Sequence, residues 1–310
     1  MDNIFIIQTL KEVIDDKSNF EEPGAVFGDF IKEGELAIVG AATNNGKTVL
    51  CCDIAFANAS NISYWDEPIS DRIRNTLYID FEMSDSQVAR RYVGIPADVS
   101  ASVKRAHLNS FVRGCSTEDK LGNIEKLVSI HHPELLIIDN LMVLMDNTIS
   151  SSVVKKVMER LKYLKEVFRL TIILVAHFHK HNRRNPIEIN NIQGSSIISN
   201  YADSIVAIGD SNVGPETKYL KQLKTRSTMK MPGVAVMNLE ESPYLHFEFV
   251  EFDDELNHLE TKQTDRGVIT GLIGQNILEL SSEGKSVRAI ADMLGISKSV
   301  VGRFLKNQNP

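Results

Sequence analysis

Short apolar runs alternate with segments of helical spacing along most of the chain. Residues 36–39 (LAIV), 135–139 (LLIID) and 170–176 (LTIILVA) are apolar at nearly every position. That is the pattern of strands buried on both faces. Residues 75–83 (NTLYIDFEM), 204–208, 234–237 and 246–252 read as further strands. Between them, 48–59 and 153–168 carry helical spacing, and in the second Val153, Val157, Leu161 and Leu164 recur at three and four. Ser84 is placed to cap a helix through Tyr92. An amphipathic stretch over 4–13 predicts a short helix packed on the main body. Strands alternating with helices predict an α/β fold, an open parallel sheet with helices on both faces.

Beyond residue 252 the pattern changes. Residues 253–267 (DDELNHLETKQTDRG) are polar without an apolar period and read as a linker between a body, 1–252, and a small tail, 268–310. The tail reads as all-α, with helices over 269–280, 287–294 and 298–306. Gly295-Ile296-Ser297 forms the turn before the third, which Ser297 caps. Ala291, Gly295, Ile296, Val301 and Leu305 give the spacing of a helix-turn-helix, with Val300 and Phe304 completing the apolar face. Lys298, Ser299, Arg303 and Lys306 then lie on the open face of the third helix. Ser299 and Arg303 are placed for base edges of duplex DNA and the lysines for phosphates. The pattern resembles the DNA-binding tails of resolvases; a helical bundle for protein contacts is the alternative.

Charge sharpens this division. The chain carries −7 overall, but residues 261–310 hold seven Lys or Arg and four Asp or Glu, a net +3 against −10 for the remainder. That balance excludes a protein that coats nucleic acid over its whole surface and suits a separate nucleic-acid-facing module. No apolar run approaches the ~18–20 residues needed to span a bilayer. The first residues show no basic segment followed by an apolar one, so no membrane association and a cytoplasmic location are expected. The three cysteines make no disulfide framework, and Cys51 and Cys52, in an apolar helical stretch, read as buried thiols.

The candidate chemistry lies where the first buried strand meets its helix. The run Ala41-Ala42-Thr43-Asn44-Asn45-Gly46-Lys47-Thr48-Val49 has the context of a P-loop. Successive backbone N–H groups and a helix N-terminus form a nest for phosphates. Lys47 adds a point charge, and the Thr48 hydroxyl is a ligand for Mg²⁺, so ATP and Mg²⁺ are the expected cofactors. Ala41 stands where the usual pattern has its first glycine. Asn44 and Asn45 tolerate left-handed backbone better than most residues, so the loop can still close. Asp139, ending the strand LLIID, is a second candidate for Mg²⁺. Hydrolysis also needs a group to orient or deprotonate water. Glu82 is the first candidate, with Asp80 on the same strand as the alternative. His177, after LTIILVA, is placed to contact a terminal phosphate.

These segments resemble the RecA-like ring ATPases, specifically the DnaB and plasmid RepA-type hexameric helicases. The likeness covers about residues 25–250 and rests on AATNNGKT, YIDFEMS, LLIIDNL, LVAHFHK and QGSSIISNYADSIVAI followed by LKTR, in that order. It implies a RecA-like ATPase domain over 1–252 and a homo-oligomer, in that family a hexamer. Glu82 matches that family's catalytic glutamate, Asp139 its Walker B aspartate and His177 its γ-phosphate sensor. Lys224 and Arg226 match a Lys-x-Arg pair that enters the neighbouring subunit's ATP site. The loops over 146–152 and 179–194 match those lining a central channel, where Lys180, Arg183 and Arg184 would meet single-stranded DNA. The output implied is a helicase or translocase in replication of DNA or mobile elements. An ATP-switched DNA-binding regulator is the alternative.

Overall fold

The apolar runs become the central strands of one nine-stranded sheet. The computed structural model describes residues 6–16, 22–60, 62–63, 65, 69–108, 114–146, 150–179, 182–192, 195–260, 271–294, 298, 301–302 and 304–305. A helix, α1 (Leu10–Asp15), comes first, then a short antiparallel pair, β1 (Ala25–Phe27) and β2 (Ile31–Lys32). The main sheet takes β3 (Leu36–Ala41), β4 (Thr76–Asp80), β5 (Val103–His107), β6 (Leu135–Asp139), β7 (Thr171–His177) and β8 (Ser204–Asp210). It continues with β9 (Thr217–Lys224), β10 (Val234–Glu240) and β11 (His246–Asp253). The order across it is β11-β10-β9-β8-β3-β7-β6-β4-β5. Pairs from β5 to β8 are parallel, and β8 to β11 form an antiparallel meander.

Parallel neighbours need crossovers, and helices supply them. They are α2 (Lys47–Ser60), α3 (Asp85–Tyr92), α4 (Ala97–Ser102), α5 (Thr117–His131), α6 (Leu141–Leu144), α7 (Ser151–Phe168) and α8 (Ser195–Tyr201). Side chains alternate across each strand, so the sheet has two cores. Leu36 and Ile38 of β3 join Ile172 and Leu174 of β7 under α5, α7 and α8. Ala37 and Val39 join Ile173 and Val175 under α2, α3 and α4 on the other face. Helix α2 is buried along almost its whole length, and Cys51 and Cys52 are buried free thiols within it.

Several expectations change in detail. Helix α1 begins at Leu10 rather than at residue 4, all six of its residues are exposed, and a Thr9–Glu12 capping box starts it; residues 4 and 5 lie outside the described residues. The strand expected over 75–83 stops at Asp80, whose carboxylate accepts from the N–H groups of Glu82 and Met83 and turns the chain. The expected linker starts later than residue 253. Residues 255–258 form a 3-10 turn on the body, where buried Glu255 accepts from Ile187 N–H at 2.8 Å and pairs with Lys221.

The chain forms two units, Met1–Leu259 and Glu260–Pro310. In the second, α9 (Gly271–Ser282) and α10 (Val287–Leu294) bring Ile277, Ile290 and Ala291 together with Val301 in a small core. Lys298, Val301, Gly302, Phe304 and Leu305 have helical backbone, and Lys298 is exposed. Ser299, Arg303, Lys306 and the expected turn over 295–297 lie outside the described residues. Among the described residues, no helix is long and apolar enough to cross a membrane.

Gly40 sets the clearance at the end of β3. A Cβ there would come within 2.0 Å of the buried Phe178 ring. Gly40→Ala should therefore lower unfolding free energy by ~1–3 kcal/mol, read as a lower urea midpoint at unchanged slope.

Candidate active site

Strand β3 delivers the loop, and α2 begins inside it at Lys47. Asn44 (φ 63°) and Gly46 (φ 78°) adopt left-handed backbone, the conformation by which successive N–H groups of a loop can form an anion-binding nest. A Cβ on Gly46 would lie 2.4 Å from the Phe247 ring, so packing as well as conformation requires glycine. Asn45 is buried on the loop's flank, near enough to Asp210 at the end of β8 to help lower that carboxyl's pKa, behind the larger effect of Lys218. Ala41 in place of glycine fits here because it is still a strand residue, paired with His177.

Lys47 is 7% exposed, and its ammonium donates to the carbonyls of Ala42 at 2.7 Å and Ala41 at 3.3 Å. Desolvation lowers its pKa, against the opposing pull of Asp139 and Glu82. A buried ammonium held by its own loop's carbonyls is suited to exchange them for an anion.

Asp139 closes β6 directly beside the loop. The Thr48 hydroxyl donates to its Oδ2 at 2.7 Å and the Tyr78 hydroxyl to the same oxygen at 3.0 Å. Its Oδ1 is buried without a partner among the described residues. Burial raises the carboxyl pKa to about 6, with Thr48 and Tyr78 pulling it down and Glu82 and Asp80 pushing it up. An orphaned carboxylate oxygen beside a threonine hydroxyl is the donor chemistry that hydrated Mg²⁺ takes, so these residues fit that ion.

Two carboxylates from β4 and its turn were candidates for the water-activating role, and geometry separates them. Asp80 is 1% exposed and saturated: Oδ1 takes the Glu82 and Met83 N–H groups, and Oδ2 takes Arg105 Nε at 2.8 Å. Glu82 stands in the turn and is part-exposed. Its Oε1 accepts from Asn140 Nδ2 and lies 3.6 Å from His177 Nε2. The neighbouring His177 imidazole is the main cause that lowers the Glu82 pKa, against desolvation, so the group is ionised and able to accept a proton. Asn140 Nδ2 also lies 3.1 Å from His177 Nε2. Glu82, Asn140 and His177 thus form one connected group facing the loop.

Lys224 and Arg226 do not join this group. Lys224 Nζ donates to Ala202 O at 2.7 Å, and Arg226 pairs with Asp203 at 3.0 Å. Asp203 also accepts from Leu36 N–H, which marks the end of β3 opposite to the phosphate loop. Neither side chain can serve the site of its own chain. The Arg226 side chain is 52% exposed, beside a polar hollow of about 630 Å³ that Lys155, Lys162 and Lys165 also line. Of the expected single-strand contacts, Lys180 lies outside the described residues, and Arg183 and Arg184 are exposed. Arg183 faces Asp210 at 3.6 Å. The segment around them is tied down by bonds from His179 N–H to Asn191 O and from Ile187 N–H to Glu255.

Sequence reasoning missed Tyr78 and Asn140. Asn140 had a signal, a polar residue immediately after the strand-end aspartate. For Tyr78 the signal was a hydroxyl inside a strand buried on both faces, which must find a partner.

Residues 7–183, more than half of the chain, match the AAA domain family, and the chain belongs to that family. A search of curated proteins finds no match. Among solved structures, a KaiC-like protein from the hyperthermophilic archaeon Pyrococcus horikoshii is similar at TM-score 0.55 and 13% identity, over 74% of this chain and 98% of that one. At that identity the likeness concerns the fold, and it agrees with the RecA-like α/β architecture expected from the sequence.

The buried Asp139 carries a stability consequence. Its raised pKa means that the folded state binds more protons than the unfolded one between the ordinary value of 3.8 and about 6. Stability from this group is full below the lower value and is lost as pH rises through the upper one. In the absence of nucleotide and metal, Asp139→Asn should therefore stabilise the fold at pH values well above 6. The gain should reach at most ~3 kcal/mol and disappear in acid, as read from urea midpoints across the pH range.

Proposed function

We infer that this AAA-domain protein hydrolyses ATP with Mg²⁺, and that it does so as a homo-oligomer whose sites are completed between subunits. The observation that carries the reading is the convergence of Lys47, Thr48, Asp139 and Glu82 at the mouth of one left-handed loop. The loop N–H groups and Lys47 hold the β- and γ-phosphates. Thr48 and Asp139 hold Mg²⁺, which neutralises phosphate charge when bound. Glu82 orients the attacking water and accepts its proton, and His177, through Asn140, senses the terminal phosphate.

Arg226 supports the oligomer. It sits at the far end of the sheet from its own loop, half-exposed and held by Asp203, in a hollow that Lys155, Lys162 and Lys165 line together with Glu166 and Asp203. A neighbour's γ-phosphate is a fitting partner for it, and stabilisation of this kind is worth about 10³–10⁵ in rate in related phosphoryl transfers.

The output we assign is translocation on DNA, with helicase action as its strongest form, in replication of DNA or mobile elements. Single strands meet the segment with Lys180, Arg183 and Arg184. Duplex meets the basic C-terminal unit, where the sequence pattern of a helix-turn-helix makes Lys298, Ser299, Arg303 and Lys306 the contacts we assign. One observation favours a second reading, an ATP-switched DNA-binding regulator. Arg183 faces Asp210 and its segment is anchored at Glu255, which leaves less positive charge for a channel.

ATPase rate against protein concentration, with and without single-stranded DNA, separates these readings. The motor reading expects a steep rise with concentration, stimulation by DNA, and a loss of about 10³-fold in Arg226→Ala. A concentration-dependent rate indifferent to single strands would favour the switch. A rate flat in concentration and untouched by the substitution would remove the shared site.

A further inference from the structure

The geometry assigns Tyr78 a positioning role: its hydroxyl orients the Asp139 carboxylate so that Oδ1 faces the metal. This rests on the Mg-ATP reading above. Tyr78 lies mid-way along β4, 3% exposed, next to β6 in parallel register. An apolar side chain would serve the packing there, because the surrounding residues are those of the apolar core under α2. A phenol oxygen in such a place is costly unless bonded. Its bond goes to Asp139 Oδ2 at 3.0 Å.

Thr48 donates to the same oxygen at 2.7 Å, so both donors act on Oδ2 and Oδ1 is left over, buried and without a partner among the described residues. A carboxylate is planar, so fixing one oxygen fixes the direction of the other. The two donors differ in what they are attached to. Thr48 rides on the loop and the first turn of α2, where phosphates bind. Tyr78 is built into a strand flanked on both sides, by β5 and β6. Tyr78 therefore ties Asp139 to the rigid sheet whatever the loop does. Tyr78→Phe removes one oxygen and adds no volume, so it tests the bond without crowding the core.

The test is the affinity of a fluorescent ATP analogue, measured by titration in EDTA and again in Mg²⁺. Tyr78→Phe should bind as wild type does in EDTA. It should lose about tenfold of the gain in affinity that Mg²⁺ confers, the size expected for one hydrogen bond to a charged group. In an Asp139→Asn background the same substitution should change nothing further, because the group it orients is gone. Half-saturation by Mn²⁺ in the presence of nucleotide, followed by electron paramagnetic resonance, should shift by the same factor. A full Mg²⁺ gain in Tyr78→Phe would overturn the assignment and leave the Mg-ATP reading standing. Equal losses in EDTA and in Mg²⁺ would reduce Tyr78 to a packing residue and also overturn it. A wild-type protein with no Mg²⁺ gain at all would instead overturn the Mg-ATP reading on which the assignment rests.

Discussion

Parallel register decides where the polar groups of this chain can gather. Ala41 stands opposite His177 across β3 and β7, and Asp80 stands opposite Asp139 across β4 and β6. Each of these residues ends its strand, so the carboxyl edge of the sheet collects the phosphate loop, two carboxylates and an imidazole along one line. Open α/β sheets bind ligands at this edge, because strand interiors are sealed by helices on both faces and only the strand ends are open to solvent. A slip of one residue in any pair would turn a core side chain into the site and a site residue into the core. The same burial that makes the strands apolar on consecutive positions holds the active groups in place.

The site keeps two charges in poor surroundings. Lys47 and Asp139 are both buried, and each is pushed by desolvation toward its neutral form. The lysine is bonded to loop carbonyls, and one aspartate oxygen is bonded to nothing described. Groups left this way favour ligands that supply what is missing, an anion for the ammonium and a cation for the carboxylate. Mg-ATP brings both at once. Asp80 shows the contrast: with Arg105 and two N–H groups around it, its carboxylate is fully used in shaping the turn that carries Glu82.

The central strands and α2 were legible because burial on both faces leaves an unbroken apolar run, and the phosphate loop because its chemistry demands fixed residues at fixed spacing. The edges were less legible. Strand β5 (VKRAH) is partly exposed and carries Lys104 and Arg105 on opposite faces, so it has no apolar run to read. Strand β9 (TKYLKQLK) interleaves lysines with its buried positions for a similar reason. Helix α5 did carry a signal, the Ser116–Asp119 capping box ahead of Leu121, Ile124 and Val128, but it lies in a mostly polar stretch. In the site, placements that depend on one strand's own ending, such as that of Asp139 beside the loop, could be read from sequence. The Glu82–Asn140–His177 group could not, because it joins a turn, a strand exit and a third strand that meet only in the fold.

The central claim is that Glu82 is the group that activates water at a site built to bind ATP. The most direct measurement is ATP binding and single-turnover hydrolysis on the same Glu82→Gln preparation. The substitution keeps size and polarity but cannot take a proton. ATP affinity should stay close to wild type and hydrolysis should slow by about 10²–10⁴-fold, the usual worth of a positioned general base. Hydrolysis within about twofold of wild type, where that general-base contribution should have vanished, would contradict it.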